Sequence, residues 1–335
     1  MKAVILAGGY ATRLWPITKN RPKMFLPIGC HTVIDHIFAE LERDDRIEEV
    51  YVSTNEEFAD DFDTHITEST FEKPRLSIEE TTSEDEKPGV VSALAQLVDR
   101  EEIDDDLLVI AGDNLLSFHI SSFIDFFQTV ASPSVAAYDV RSRERATSYG
   151  VLELKDGLVT DFQEKPTDPT STLVSIGCYG FPAATLESLQ DYLKQGNNPD
   201  EPGWFIQWLH DKTDVRAFTF DEAWFDIGTR ESYLSALAWQ LDDGPHVASS
   251  ATVRGSDLGE NVMVMAGSEI IDATLHNVVV FPETAVCECD IRSSIIDSNV
   301  ELVGLTLRES LVDSHTQILN DRSQSTERAA WRSSI

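Results

Sequence analysis

The segment from Leu6 to Lys23, LAGGYATRLWPITKNRPK, holds the residues best suited to chemistry. Gly8 and Gly9 follow directly on a short apolar run, Lys2 to Ala7. Lacking Cβ atoms, such a pair lets backbone N–H groups approach and cradle a phosphate. Two cations, Arg13 and Lys23, lie ten residues apart on a loop stiffened by Pro16 and Pro22. Fixed cations on such a loop suit a triphosphate whose charge must be neutralised in place. Only 9 residues of the chain are Lys, so the Pro22-Lys23 pair reads as more than incidental surface charge. The dinucleotide pattern G-x-G-x-x-G does not fit, because Tyr10 and Ala11 interrupt it, and G-x-x-x-x-G-K-[ST] does not fit either.

These residues need a frame, and the first 240 positions supply one. Lys2 to Ala7 suits a buried parallel strand. Thr32 to Arg43 carries Val33, Ile34, Ile37, Phe38 and Leu41 at helical spacing. Glu49 to Ser53 reads as a second strand, Gly89 to Val98 as an Ala- and Leu-rich helix, and Leu107 to Ala111 as a buried strand ending at Gly112-Asp113. Strands alternating with helices imply a mostly parallel sheet with right-handed crossovers. Ligands of such sheets bind at the carboxyl ends of the strands. The segments to watch are therefore Gly8–Lys23, Gly112–Asn114 and Trp224–Gly228.

The texture changes near residue 244, after the linker-like Asp242-Asp243-Gly244-Pro245. Aliphatic residues then recur at about every sixth position, as at Val247, Val253, Leu258, Val264 and Ile270, with some steps of five. The phrases Ser268-Glu-Ile-Ile-Asp, Ser294-Ile-Ile-Asp and Ser310-Leu-Val-Asp repeat. This period predicts a parallel β-helix rather than a small irregular β-domain. Residues 321–335 are polar and read as a frayed tail.

Composition narrows the partners. With 59 Asp+Glu against 26 Lys+Arg, the formal net charge is −33. Nucleic acid and anionic membrane surfaces would be repelled. No apolar run approaches the ~20 residues that span a bilayer, and the first apolar run is too short for a signal-peptide core, so a cytoplasmic protein is expected. Acidic runs such as Glu84-Asp85-Glu86 read as solvated faces that screening by high salt would relieve, which points to halophilic adaptation. The four cysteines, Cys30, Cys178, Cys287 and Cys289, are too sparse for a disulfide framework and read as small buried hydrophobes.

The order of residues from Leu6 to Lys23 resembles the signature of the sugar-1-phosphate nucleotidyltransferases, roughly L-A-G-G-x-G-T-R-L-x-P-x-T-x-x-x-P-K. Ala11 stands where that signature has glycine, and would carry a conformational cost if the position needs positive φ. The resemblance runs through residue 240, and a β-helix tail is common in the family. It implies an α/β fold: a mostly parallel Rossmann-like nucleotidyltransferase sheet in residues 1–243, a hexapeptide-like left-handed parallel β-helix in 244–320, and a flexible tail at 321–335.

The resemblance also implies roles. Leu6, Gly8, Gly9, Thr12, Glu86 and Gly89 would contact the nucleotide, with Arg13 and Lys23 on its phosphates. Gly112-Asp113-Asn114 looks like the family's G-D metal site and Trp224-Phe225-Asp226-Ile-Gly228-Thr229 like its W-x-D-x-G-T, so Asp113 and Asp226 would hold Mg²⁺. Tyr149-Gly150-Val151, Glu164-Lys165-Pro166 and Ser175-Ile-Gly177-Cys-Tyr179 resemble the sugar-binding segments: Gly150, Glu164 and Gly177 on the sugar, Lys165 on its phosphate. The glutamine that many thymidylyl- and uridylyltransferases carry near Glu84 and Glu86 is not evident.

The implied reaction joins an NTP and a sugar 1-phosphate into an NDP-sugar and pyrophosphate, with glucose 1-phosphate and dTTP or UTP as the expected substrates. The attacking phosphate oxygen is already an anion, so positioning and charge neutralisation replace a general base. Alternatives are a mannose-1-phosphate guanylyltransferase, a bifunctional enzyme whose β-helix transfers an acyl group, and a non-catalytic nucleotide-binding homologue. The acyltransferase would need a positioned histidine on the coil, and His246, His276 and His315 sit singly. A β-helix leaves a flat face and an edge, from which a homo-oligomer is expected.

Overall fold

The computed structural model describes residues 1–9, 11–79, 89–242 and 244–320. Glu84, Asp85, Glu86 and the tail at 321–335 lie outside the described residues. The chain packs into two compact units. Of the described residues, one unit holds 1–9, 24–26, 32–79 and 89–226; the other holds 11–23, 27–31, 227–242 and 244–320.

The first unit contains strands β1 (Lys2–Leu6), β2 (Glu49–Asn55), β3 (Pro74–Glu79), β4 (Leu107–Ala111), β5 (Asn114–Leu116), β6 (Ser134–Asp139), β7 (Gly150–Lys155), β8 (Leu158–Glu164), β9 (Leu173–Phe181), β10 (Arg216–Phe220) and β11 (Trp224–Asp226). Nine of them form one sheet in the order β3-β2-β1-β4-β9-β6-β10-β8-β7. β3, β2, β1 and β4 are mutually parallel, as are β6 and β10, while β9 runs antiparallel to β4 and β6. β5 and β11 form a separate antiparallel ribbon.

The two-residue period of a strand sorts the core. Ala3, Ile5, Leu108 and Ile110 face one side, where they pack with Ile34, Ile37, Phe38 and Leu41 of helix α1 (Val33–Glu42). Val4, Leu107 and Val109 face the other, with Val91, Leu94 and Val98 of helix α2 (Val90–Arg100). Each Val, Leu, Ile or Phe among them, taken fully from water, contributes roughly 1.5–3 kcal/mol. α1 begins where Thr32 and Asp35 form a capping box, which satisfies N–H groups the first turn leaves open. The strands and helices expected from periodicity are present within a few residues of their predicted ends.

In the second unit, short parallel strands from His246 to Leu319 stack in coils of 16 or 17 residues, the architecture of a left-handed β-helix. Three aliphatic ladders line the interior, with only their end residues Val247 and Ile318 exposed. Val253, Ile270, Val286, Leu302 and Ile318 are in register. So are Leu258, Leu275, Ile291 and Leu307, and Val247, Val264, Val280, Ile296 and Val312. The steps of five and six in the sequence are thus the three sides of one coil. Each corner is a residue with positive φ, and the corners also stack: Asp272 and Glu288; Asn261, Asn277, Ser293 and Glu309; Glu283, Asn299 and His315. Non-glycine residues pay conformational energy there. The N–H groups of Asp272, Glu288, Asn277, Glu309, Glu283, Asn299 and His315 each reach a carbonyl of the preceding coil, which offsets it.

Helix α3 (Arg230–Gln240) packs in this unit. The phenol of buried Tyr233 donates to the Pro27 carbonyl (2.7 Å), and the Asn261 amide donates to the Leu234 carbonyl (2.9 Å). The change of texture near 244 therefore marks where the coils begin, whereas the packing division falls at 226/227. Among the cysteines, Cys178 and Cys289 are buried, but Cys30 is exposed and Cys287 half-buried, so the expectation of four buried thiols fails for two. Among the described residues no helix is long and apolar enough to cross a membrane.

Candidate functional site

The end of β1 is held on both sides. The Gly112 N–H donates to the Leu6 carbonyl (2.9 Å) and the Ala7 N–H to the Ser53 carbonyl (2.7 Å). The Asn55 amide donates to the Gly8 carbonyl (3.2 Å). A Cβ at Gly8 would come within 3.1 Å of the Glu79 carboxylate, whereas one at Gly9 would meet nothing within 4 Å. Glu79 is fixed there by the Ser53 hydroxyl (2.9 Å). Gly8 thus accommodates a neighbouring side chain, and Gly9 leaves open space beside the backbone. Gly89 opens α2 as its N-cap residue.

Asp113 immediately precedes β5, and Asp226 is the last residue of β11. Asp226 is directly opposite Asn114, one residue beyond Asp113. The buried Asn114 side chain joins three motifs: its amide donates to the Ile176 carbonyl, and its oxygen accepts the Trp224 indole N–H at 3.0 Å. The Trp224 ring meets Tyr149 edge-on, 5.1 Å between centroids, and the Tyr149 hydroxyl lies 3.4 Å from Asp226 Oδ2. Gly177 has φ +72, and a Cβ there would approach the Ala111 Cβ to 2.9 Å. A glycine is what allows this segment to lie against the Gly112-Asp113-Asn114 turn.

Glu164, Lys165 and Gly150 form a second cluster. A Cβ on Gly150 would come within 2.8 Å of the Glu164 carboxylate, and one on Gly203 would overlap it. Gly203 lies in the first turn of helix Pro202–His210. From the same helix, Gln207 Oε1 accepts the Glu164 N–H (3.1 Å). Burial, with the nearby Glu201 charge, lifts the Glu164 pKa to about 7, against the pull of Lys165. Lys165 has φ 45, donates its N–H to the Tyr149 carbonyl (3.1 Å) and pairs its ammonium with Glu201.

Thr12, Arg13 and Lys23 belong to the second unit. Ala11 adopts the left-handed conformation, φ 48 and ψ 44, and so carries the conformational cost that a glycine at this position would avoid. Its carbonyl accepts from the Leu14 N–H (3.0 Å) and the Thr18 hydroxyl (2.9 Å). Leu14, Ile17 and Thr18 are buried while Thr12 and Arg13 are exposed. The loop is thus tied from within and presents Arg13. Reading the sequence missed Asn114 as a positioning residue, and Glu201, Gly203 and Gln207 altogether. The one local signal was Pro202-Gly203 opening an aromatic-rich helix.

Residues 2–242 match the model of the nucleotidyl transferase family. The chain belongs to this family. It is 27% identical over 276 residues to a bifunctional protein GlmU of Methanocaldococcus jannaschii, covering 81% of this chain and 60% of that protein. It is 26% identical to a candidate mannose-1-phosphate guanyltransferase of Sulfolobus acidocaldarius, covering 81% and 74%. A glucose-1-phosphate thymidylyltransferase of Streptomyces griseus is 26% identical, covering 91% and 88%. A crystal structure of a candidate glucose-1-phosphate thymidylyltransferase from Bacillus anthracis, with sucrose, shares the fold at TM-score 0.63 and 24% identity, covering 73% of this chain and 96% of that one. The chain thus spans about three-fifths of the length of the M. jannaschii relative.

Proposed function

We propose that this nucleotidyl transferase moves a nucleotidyl group from an NTP to a sugar 1-phosphate, releasing pyrophosphate. The observation that supports the reading is the pairing of Asp226 with Asn114, the residue after Asp113, which joins two motifs more than 100 residues apart in the sequence. Two carboxylates fit Mg²⁺, which binds through one or two carboxylates and completes its shell with phosphate oxygens and water. Among the described residues no group of three or more His, Cys, Asp or Glu offers an all-protein cage. Bound there, Mg²⁺ would neutralise phosphate charge at the reacting phosphorus.

The chain's own residues supply the rest. Backbone N–H groups after Gly8 cradle phosphate, and Gly9 leaves room for it. Arg13 and Lys23 neutralise the triphosphate and the charge that grows on the leaving pyrophosphate. Leu6, Thr12, Glu86 and Gly89 complete the nucleotide contacts. Glu164 accepts sugar hydroxyls, beside the backbone at Gly150 and Gly177, and Lys165 aims the attacking phosphate. Removing one charged group from such a set lowers the rate by roughly 10²–10³. In this reading residues 1–243 do the chemistry and 244–320 support it, in a cytoplasmic homo-oligomer suited to high salt.

Glucose 1-phosphate with dTTP or UTP is the preferred substrate pair. Its support is the S. griseus thymidylyltransferase, which aligns along nearly the whole of both chains. The three coil histidines are all exposed, and His315 is spent on a corner, which gives the acyltransferase alternative no built site. A matrix of nucleoside triphosphates against sugar 1-phosphates, with Mg²⁺ at high salt and pyrophosphate as readout, tests the proposal. Pyrophosphate release dependent on a sugar 1-phosphate is expected. Silence across the whole matrix would refute it, and preference for GTP with mannose 1-phosphate would move the substrates to the guanylyltransferase.

A further inference from the structure

Between Arg13 and Lys23 the signature loop carries two more cations, Lys19, which is exposed, and Arg21, which is half-buried. Arg21 Nη2 donates to both oxygens of Asp297, at 2.5 and 2.7 Å, and the guanidinium carbon lies 5.1 Å from the centroid of the Phe281 ring. Asp297 is only 1% exposed. It is held on its own side as well: the Ser298 N–H donates to its carboxylate (2.7 Å), the Thr284 hydroxyl to its carbonyl (2.7 Å), and its own N–H reaches the Val312 carbonyl (3.0 Å).

Phe281 and Asp297 occupy one column of the β-helix, since Val280 and Ile296 are in register. The next residue of that column is Asp313, following Val312, and it is exposed. Ser294-Ile-Ile-Asp and Ser310-Leu-Val-Asp are therefore the same phrase of the repeat with two fates. One aspartate is solvated, and the other is buried and spent on the loop. A buried ion pair adds little net stability over apolar residues of similar size, because desolvation offsets attraction. What a charge-assisted pair supplies, with one guanidinium nitrogen on both oxygens of a buried carboxylate and the guanidinium over the Phe281 ring, is a fixed position.

We propose that Arg21 is a positioning residue, and that its pair with Asp297 makes the β-helix the seat of the phosphate-binding loop, setting where Arg13 and Lys23 stand. The pair ties the loop eight residues after Arg13 and two before Lys23. This rests on the nucleotidyl-transfer reading only for what the two cations do, not for how the loop is held.

The test uses the full chain at high salt, as wild type, Asp297→Asn, Arg21→Lys and Arg21→Met/Asp297→Leu. The last variant removes both charges and serves if the first does not fold. Two quantities are read below the melting temperature of each variant: hydrogen exchange of the amides in 11–23, and kcat at saturating substrates. The expected result is exchange at least tenfold faster in that loop and kcat lower by roughly 10- to 100-fold, the scale on which a misplacement of about 1 Å acts. Arg21→Lys, which keeps the charge but loses the planar guanidinium that lies over the Phe281 ring, should be impaired as well. Unchanged exchange in 11–23 overturns the proposal, and so does faster exchange with wild-type kcat, which would leave the pair a merely structural contact. If the wild type releases no pyrophosphate with any substrate pair, the functional reading fails, and the exchange measurement still decides the anchoring.

Discussion

The indole N–H of Trp224 donates to the side-chain oxygen of Asn114 across a two-stranded ribbon, 3.0 Å between heavy atoms and out of reach of water. Asn114 spends its other end on the Ile176 carbonyl. Replacing it by Leu would strand a buried donor and a buried acceptor, each worth about 1–3 kcal/mol. Asn114→Leu is expected to lower the melting temperature by several degrees and to reduce kcat, since both flanking aspartates lose their common brace. Thermal melts beside pyrophosphate release check this, and an unchanged kcat would show that the brace is dispensable to the chemistry.

Asp113→Ala and Asp226→Ala should each cut pyrophosphate release by roughly 10²–10³ or more while circular dichroism stays that of the wild type. Raising Mg²⁺ should restore part of the loss only where one carboxylate remains, so the double variant stays inactive. Wild-type turnover in either single variant would contradict the assignment.

Glu164 gives a pH dependence with a definite sign. Its pKa is about 7 in the fold against an ordinary 4.5. Between those values the folded chain holds the proton and the unfolded chain does not. The group's stabilising share is therefore complete below about pH 4.5 and is lost as pH rises through about 7. Glu164→Gln, which stays neutral, should gain melting temperature relative to wild type on going from pH 5 to pH 8. Its KM for the sugar phosphate should rise at pH 8, where the charged acceptor is missing. A melting-temperature difference that is flat in pH would refute the shift.

With 59 acidic against 26 basic residues, self-repulsion should dominate at low ionic strength. Going from 0.1 M to 2 M KCl, which shortens the Debye length to a few Å, should raise the melting temperature by roughly 10 °C or more. A melting temperature indifferent to salt would remove the basis for reading the surface as halophilic.

Much of the frame and the motif positions could be read from the sequence because their signals are local. β1 is an apolar run stopped by Gly8-Gly9, and Leu107–Ala111 is another stopped by Gly112-Asp113. The coils announce themselves through Val253, Leu258 and Val264, whose spacing is the side of a triangle. What stayed hidden depends on distant partners. Nothing near Gly203 tells that Glu164 will lie over it. Nothing in Ser294-Ile-Ile-Asp distinguishes the buried Asp297 from the exposed Asp313 of the same phrase. The conformation of Ala11 lies between these cases: the sequence raised a cost only on the condition of positive φ, and the position takes φ 48 without a glycine.

The Arg21–Asp297 pair joins residues 276 positions apart. During translation, the loop near the amino terminus leaves the ribosome long before its counter-ion is made. On the anchoring proposed above, the segment bearing Arg13 and Lys23 would have no seat until the late coils have been synthesised and have stacked. A ribosome that stops short of those coils releases a chain whose sheet can form but whose loop has nowhere to dock, so prematurely terminated chains would be idle rather than half-active.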